Sequence, residues 1–187
     1  MPALQESVQL QLDAYTAGMQ TGGGNPRTTR SCALVPPTGE SYDNGLTGVF
    51  GKFYQRSESG FNEAHPTSNN TQMNNLAGVV LNDKYQQNAP ASAGGSVTLF
   101  EHDSLLLMVS GFCVVQTVGT LGVAESAIYL LTSGENAGKL ATSLGTDTGF
   151  MVGGASFTYG ATGVFAVPPV TVIGVSDGLA EIMLKLN

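Results

Sequence analysis

The sequence predicts an all-β protein that folds as a single domain, a sandwich or barrel of the jelly-roll type, with long loops and an extended N-terminal arm. Short stretches rich in β-branched and aromatic residues recur at fairly even spacing, which is typical of such folds. Turn-forming residues separate the stretches, and glycine alone accounts for 25 residues. No stretch has the apolar period of a long helix. A chain of 187 residues is long enough for one domain with a sizeable core.

The predicted arm comprises residues 1–20, and its central stretch alternates between apolar and polar side chains. In SVQLQLD, residues 7–13, the side chains of Val8, Leu10 and Leu12 point to one side, and glutamine and aspartate point to the other. A period of two is the signature of a strand. The arm is therefore predicted to be a strand, or an extended segment that becomes one when it pairs.

The remaining residues, 21–187, are predicted to form the β-rich domain. Two long polar stretches without apolar periodicity interrupt it, at residues 55–75 and 82–95. Both are predicted to be loops, the first a solvent-facing rim, because loops beyond about 12–15 residues are usually functional or mobile. The Gly-rich residues 17–30 are also predicted to be a loop.

The predicted strands of this domain are compact apolar runs bounded by turn residues. In the closing segment GLAEIMLKLN, Ala180, Ile182 and Leu184 share one face, while charged residues and a methionine share the other. The pair Pro168-Pro169 divides a further candidate, because proline cannot donate to a sheet ladder. TSGENAG, at 132–138, has the composition of a tight turn. The other strand candidates lie at residues 46–54, 76–81, 96–101, 126–131, 149–160 and 163–175.

The most apolar stretch of the chain is SLLLMVSGFCVVQ, residues 104–116. It is too short for a membrane helix, which needs about 20 apolar residues. Ser110 and Gly111 at its centre would weaken a buried helix. We therefore expect a buried β-hairpin that turns at these two residues, or a single strand with a bulge there.

Composition excludes several classes of partner. Only 11% of the residues are charged, and seven Lys and Arg residues face fourteen Asp and Glu residues, which gives a net charge of −7. Nucleic-acid binding requires clustered basic residues, and Arg27 and Arg30 are the one close basic pair. We therefore expect neither nucleic acid nor an anionic membrane surface as a partner.

The sequence also offers little reactive chemistry. His65, His102, Cys32 and Cys113 lack the spacing of a zinc site, although a disulfide between the two cysteines stays open. Residues 134–140 resemble a phosphate-binding loop but are one residue short and lack its Ser or Thr. No nucleophile has a recognisable partner. We therefore predict no catalytic residues, no metal site and no cofactor, and hence that the protein is not an enzyme.

Several motifs, taken in order, resemble the cement or head decoration proteins of tailed bacteriophages. TAGMQTGGGNPRTTRSCALV is similar to the Gly-rich opening segment of that family. LAGVVLND, AGGSVTLFEHDSLLLMVSG, AESAIYLLTSGENAGKL and GGASFTYGATG then follow one another, and the chain closes on GLAEIMLKLN. The resemblance covers most of the chain, although each motif is short. The polar stretch at 55–75 departs from the shorter family members.

The resemblance implies a non-enzymatic, decoration-protein-like β domain on the outer capsid surface of the virion. Such a protein binds the expanded head as a homodimer or homotrimer and stabilises contacts between major capsid proteins. For that mechanism the natural anchors are the apolar residues of the arm, since an extended segment can add a strand to a neighbour's sheet. These predicted contact residues are Val8, Leu10, Leu12 and Tyr15. Two alternatives remain: the arm pairs within its own chain, or the protein is a surface-exposed carbohydrate-binding β domain of a virion.

Overall fold

A computed structural model describes residues 16–22, 26–58, 60–82, 97–157 and 168–186. Within these ranges the chain is almost entirely β, as predicted, with two one-turn 3-10 helices at Met73–Asn75 and Gly134–Asn136. None of the described helices is long and apolar enough to span a membrane. The strands are β1 (Thr28–Leu34), β2 (Phe53–Ser57), β3 (Gly60–Pro66), β4 (Leu76–Val80), β5 (Ser104–Gln116), β6 (Ile128–Leu131), β7 (Leu140–Ala141), β8 (Gly149–Gly153), β9 (Val170–Ser176) and β10 (Leu179–Lys185).

The first five strands close into a ring in the order β1-β3-β2-β4-β5, because β5 also pairs with β1. The β1–β3 pairing is parallel, and the other pairings of this ring are antiparallel. Ring closure removes the exposed edges that an open sheet would leave. Of the two predicted architectures, the barrel is therefore the one that describes this half of the molecule.

The second half forms another ring on the same strand. From β5 the order continues β10-β9-β8-β6-β7, and an isolated bridge from Thr117 to Leu140 brings β7 back beside the end of β5. The 13-residue β5 thus takes part in both rings. It pairs with β1 and β4 through its first half and with β10 through its second half.

Two hydrophobic cores fill the two rings. Cys32, Leu34, Tyr54 and Leu107 belong to the smaller core, in the first ring. The larger core contains the inward residues of β10 and extends onto one face of β4, whose other face lies in the smaller core. Every residue of β4 is buried, which explains its continuous apolar sequence LAGVV.

The most apolar stretch is one continuous strand, β5, so the hairpin interpretation is wrong and the bulged strand is confirmed. Thr28 pairs with Ser110 and Thr29 with Met108, which leaves Val109 without a partner across the ladder. Gly111 follows with a φ of 132°, and a side chain there would meet Arg27 and Met108 at 3.0 Å. The bulge and the glycine let the strand bend from one ring into the other.

Residues 55–75 are not a loop. They contain the end of β2, the whole of β3 and a 3-10 helix, and Gln55 and His65 are each only 6% exposed. The prediction failed because it used polarity alone, whereas these buried polar side chains hydrogen-bond to each other. Residues 83–95 of the second predicted loop lie outside the described residues.

Several strand assignments also differ from the predictions, as β8, which ends at Gly153 instead of residue 160, illustrates. β1 was not predicted, because TTRSCAL mixes polar and apolar residues and follows a Gly-rich segment. β2 begins only at Phe53, so most of the candidate at 46–54 is not strand. The candidate at 96–101 contributes one isolated bridge, from Leu99 to Leu46. Hydrogen-bonded turns at residues 42–45 and 49–52, before and after Leu46, leave no room for a longer ladder.

Candidate functional site

The root of the N-terminal arm is fixed to β5. The Gly18 N–H donates to the Val114 carbonyl at 2.8 Å, and the Val114 N–H donates to the Met19 carbonyl at 2.9 Å. The Thr21 N–H donates to the Phe112 carbonyl at 3.1 Å. Residues 16–22 therefore act as a short extra strand on the edge of β5 that β10 does not use.

Glycine is required at the centre of this root. Gly18 has a φ of 78°, and a side chain there would lie 2.7 Å from the Asn82 nitrogen and 2.8 Å from the Val80 carbonyl oxygen. The Asn82 N–H also donates to the Gly18 carbonyl at 2.9 Å. The point at which the arm meets the body is thus defined by backbone contacts on two sides.

The predicted contact residues Val8, Leu10, Leu12 and Tyr15 lie outside the described residues. Their part in binding stays a prediction. The structure does establish where the chain that carries them meets the domain, beside Val114 in the second half of β5.

A second feature is a gap in the second ring, between β8 and β9. The two strands pair only at Gly153 and Val170. Beyond that bridge β8 turns away, because the Ala155 and Ser156 N–H groups donate to the carbonyls of Glu125 and Ser126. The gap, called the wedge below, is lined by residues 123–125, 128, 154–155, 168 and 170–172.

The wedge is apolar and open. Its volume is about 270 Å³, a little below the range typical of small-molecule pockets. Val123 on one wall is 58% exposed, and Ile173, the residue of β9 that follows the lining residues, is 42% exposed. The carboxylate in the wedge, Glu125, accepts the Gly122 N–H at 2.7 Å. The wedge therefore offers shape and apolar surface rather than reactive groups.

Sequence reasoning did not find the wedge. Pro168-Pro169 and Gly153-Gly154 flank it, but the proline pair was predicted only to divide a strand candidate, and the glycine pair lay inside the candidate at 149–160. Gly154 has a φ of 98°, and a side chain there would lie 2.7 Å from the Ala127 backbone. A glycine pair at the end of one strand and a proline pair before the next are local signals for a sheet that splits. They do not show what the gap contains.

A buried polar cluster lies at the end of β2 and β3. The Gln55 amide donates to His65 Nε2 at 3.0 Å, and the Thr71 hydroxyl donates to the Gln55 carbonyl oxygen. His65 Nδ1 lies 2.9 Å from the Pro66 carbonyl, and the Ser68 N–H donates to the Thr71 hydroxyl at 2.7 Å. Both polar atoms of Gln55 and both ring nitrogens of His65 thus have partners within the cluster, so its role is structural.

Neither cysteine is poised for chemistry. Both are free and buried, Cys32 in the smaller core and Cys113 in the larger one. Burial raises the pKa of the Cys113 thiol to about 12 and also raises the pKa of Cys32. Because the thiolate is the reactive form, both groups are inert in the folded protein at neutral pH.

The acidic turn before β5 is also structural. The Asp103 carboxylate accepts the Phe100 N–H at 2.7 Å, which closes the turn. His102, at a φ of 70°, is exposed and lies 3.4 Å from the Glu101 carboxylate. In the parts of the chain that the structure describes, no three His, Cys, Asp or Glu side chains are grouped to hold a metal ion.

Comparison with known proteins places this geometry in a family. A chain in the solved structure "The capsid of Myoviridae Phage XM1" has the same fold, with a TM-score of 0.57, 14% identity and 98% coverage of both chains. No curated protein matches the sequence. The sequence model described as "Structural cement protein (E217 gp24/Pam3 gp6)" matches residues 4–185. Since that match spans nearly the whole chain, the protein belongs to the phage structural cement family and is a capsid cement protein.

Proposed function

We propose that the protein binds the outer surface of the expanded phage head as a homodimer or homotrimer and clamps neighbouring major capsid proteins. The observation that carries this proposal is the family match over residues 4–185. Many identical copies on a shell each add interface area, so a small domain without a ligand can contribute substantially to stability.

The role we propose is non-enzymatic. In support, the polar side chains of the buried cluster at Gln55, His65 and Thr71 hydrogen-bond to one another. The thiols are buried and protonated, and the wedge contains a single carboxylate that already has a backbone partner. The low fraction of charged residues and the net charge of −7 support a protein partner rather than nucleic acid or a membrane.

The arm is the capsid-binding or inter-subunit element in this proposal, with Val8, Leu10, Leu12 and Tyr15 as its anchors. Its alternating sequence suits addition to an exposed sheet edge. The fixed root supports such a role, because a segment bonded to β5 transmits to the whole domain any force that its anchors experience.

The experiment is co-sedimentation of the purified protein with heads that lack it, in expanded and unexpanded forms. We expect saturable binding to expanded heads at a fixed ratio to the major capsid protein, and the ratio identifies the symmetry axis. Absence of binding to either form would refute the proposal, and a glycan screen would then test the carbohydrate-binding alternative. Equal binding to both forms would refute the selectivity for expanded heads.

A further inference from the structure

One backbone edge of β9 lacks a partner over most of its length in the part of the chain that the structure describes. The Lys185 N–H donates to the Pro169 carbonyl at 2.9 Å, which sets the alternation of the β9–β10 ladder. In an antiparallel ladder alternate residues turn their backbone groups away from the partner. Val170 and Val172 therefore face the other edge, where β8 pairs with Val170 alone.

This edge lacks two of the features that usually protect a strand from pairing. The β9 sequence VTVIGVS contains no charged residue and no proline. Exposed edges of this kind are sites for pairing with another strand. The wedge beside the edge adds an apolar wall at Val123, and Ile173 is a second exposed apolar side chain, on β9 itself.

The shape of the wedge favours an extended chain over a compact ligand. It adjoins the Gly153–Val170 bridge and lies between β9 residues 170–172 and the departing end of β8, so it runs beside the unpaired edge of β9. Addition of a strand there would satisfy the outward backbone groups and place alternate side chains against the apolar walls. The required occupant is therefore extended, with apolar residues at every second position.

The arm has this pattern. Residues 7–13 place Val8, Leu10 and Leu12 on one face and carry no proline or glycine. Of the other segments outside the described residues, 83–96 is polar and Gly-rich, and 158–167 carries Gly160 and Gly163.

The arm of the same molecule does not reach far enough. From the root, β5, β10 and β9 must be crossed to reach the free edge, or about 19 Å over the sheet surface at about 4.8 Å per strand. Between residues 13 and 16 the chain spans only about 10 Å when extended. The alternating stretch as a whole therefore fits only the wedge of another copy.

We propose that the wedge between β8 and β9 receives residues 7–13 from the arm of a second copy, which adds a strand to the free edge of β9. This inference rests on the proposed homo-oligomer and identifies the contact that joins its subunits. Two copies that exchange arms reciprocally form a closed dimer, and three copies that pass arms in one direction form a closed trimer.

The test is disulfide cross-linking between two differently sized full-length forms, one of which carries Val123→Cys. The other form carries a single cysteine in the arm. The native cysteines are buried and do not interfere. The mixture is oxidised mildly, both free in solution and on expanded heads, and hybrid dimers are resolved by mass. The arm variants are Val8→Cys, Leu10→Cys and Leu12→Cys, with Gln9→Cys and Gln11→Cys as matched controls on the opposite face.

We expect a hybrid dimer whose yield is several-fold higher for at least one apolar position than for either glutamine position. A second pair of variants tests the wedge without cysteine. Val123→Lys should abolish the oligomer. Analytical ultracentrifugation measures it for the free protein, or for the protein bound to heads where the oligomer forms only there. Val118→Lys, at a valine of 39% exposure outside the wedge, should leave it intact. Both valines are exposed, so both variants should fold.

The possible failures are distinguishable. If the wild type sediments with heads but no hybrid forms at any apolar position, the inference is wrong and the proposed function stands. Cross-links from Val123→Cys to the major capsid protein also overturn the inference. If the wild type does not bind heads, the proposed function fails whatever the cross-linking shows.

Discussion

The substitution Gly18→Ala tests whether the root of the arm is held as described. Gly18 has a φ of 78°, and a side chain there would lie 2.7 Å from the Asn82 nitrogen. The left-handed conformation costs a non-glycine residue about 1–2 kcal/mol, and overpacking against backbone adds about 1–3 kcal/mol. Detachment of residues 16–22 would relieve the conformational cost and the overpacking. It would break four backbone hydrogen bonds, at about 1 kcal/mol each, and this sets an upper limit to the loss. The free energy of unfolding should therefore fall by about 2–4 kcal/mol.

Gly39→Ala is the matched control, because Gly39 has a φ of 90° with no atom within 4 Å of the added carbon. It should cost only the conformational part, about 1–2 kcal/mol. Urea denaturation measures both values, and hydrogen exchange of the Val114 and Asn82 amides shows whether the root detaches, since both donate to it. Equal destabilisation by the two substitutions, with both amides still protected in Gly18→Ala, would refute the reasoning.

Three further predictions concern the body of the domain. Gln55→Ala should lower the free energy of unfolding by about 2 kcal/mol, because His65 loses its amide partner in a buried site; a urea-denaturation change below about 0.5 kcal/mol would contradict this. Above pH 9.0 the Cys113 thiol ionises in the unfolded chain, whereas burial raises its pKa to about 12 in the folded protein and keeps it protonated. The free energy of unfolding should therefore fall from pH 9 towards pH 12. In a pH series of melting curves, Cys113→Ala should show a shallower fall. Ile182→Ala should cost about 2–5 kcal/mol and Met183→Ala less than about 1 kcal/mol, because adjacent residues of β10 face the core and solvent; similar calorimetric melting temperatures for the two variants would count against the register.

The parts of the fold that follow a local pattern could be predicted from the sequence. Alternation along β10 placed Ala180, Ile182 and Leu184 inward, and all three are at most 1% exposed. The turn after β6 was predicted from TSGENAG and is the 3-10 helix Gly134–Asn136. In such segments local propensity and tertiary packing favour the same structure.

The parts that depend on distant partners could not be predicted. β3 contains polar residues that are buried because Gln55 hydrogen-bonds to His65 across the hairpin, and polarity in one strand does not show which group lies opposite it. β1 has only Cys32 and Leu34 as buried residues, and it is a strand because β5 supplies a long ladder. The wedge exists only because Ala155 bonds the loop at Glu125 instead of β9.

The position of the root on β5 has a mechanical consequence. Residues 18–21 and β1 both run antiparallel to β5, with residues 18–21 bonded to its second half and β1 to its first half. A load on the arm directed along β5 therefore pulls these hydrogen bonds in shear, so that they resist together instead of being peeled one at a time. β10 is bonded to the opposite edge of the same strand, which shares the load with the second ring. A load applied along β5 at the N-terminal end of such a subunit is therefore shared by several hydrogen bonds instead of acting on one at a time.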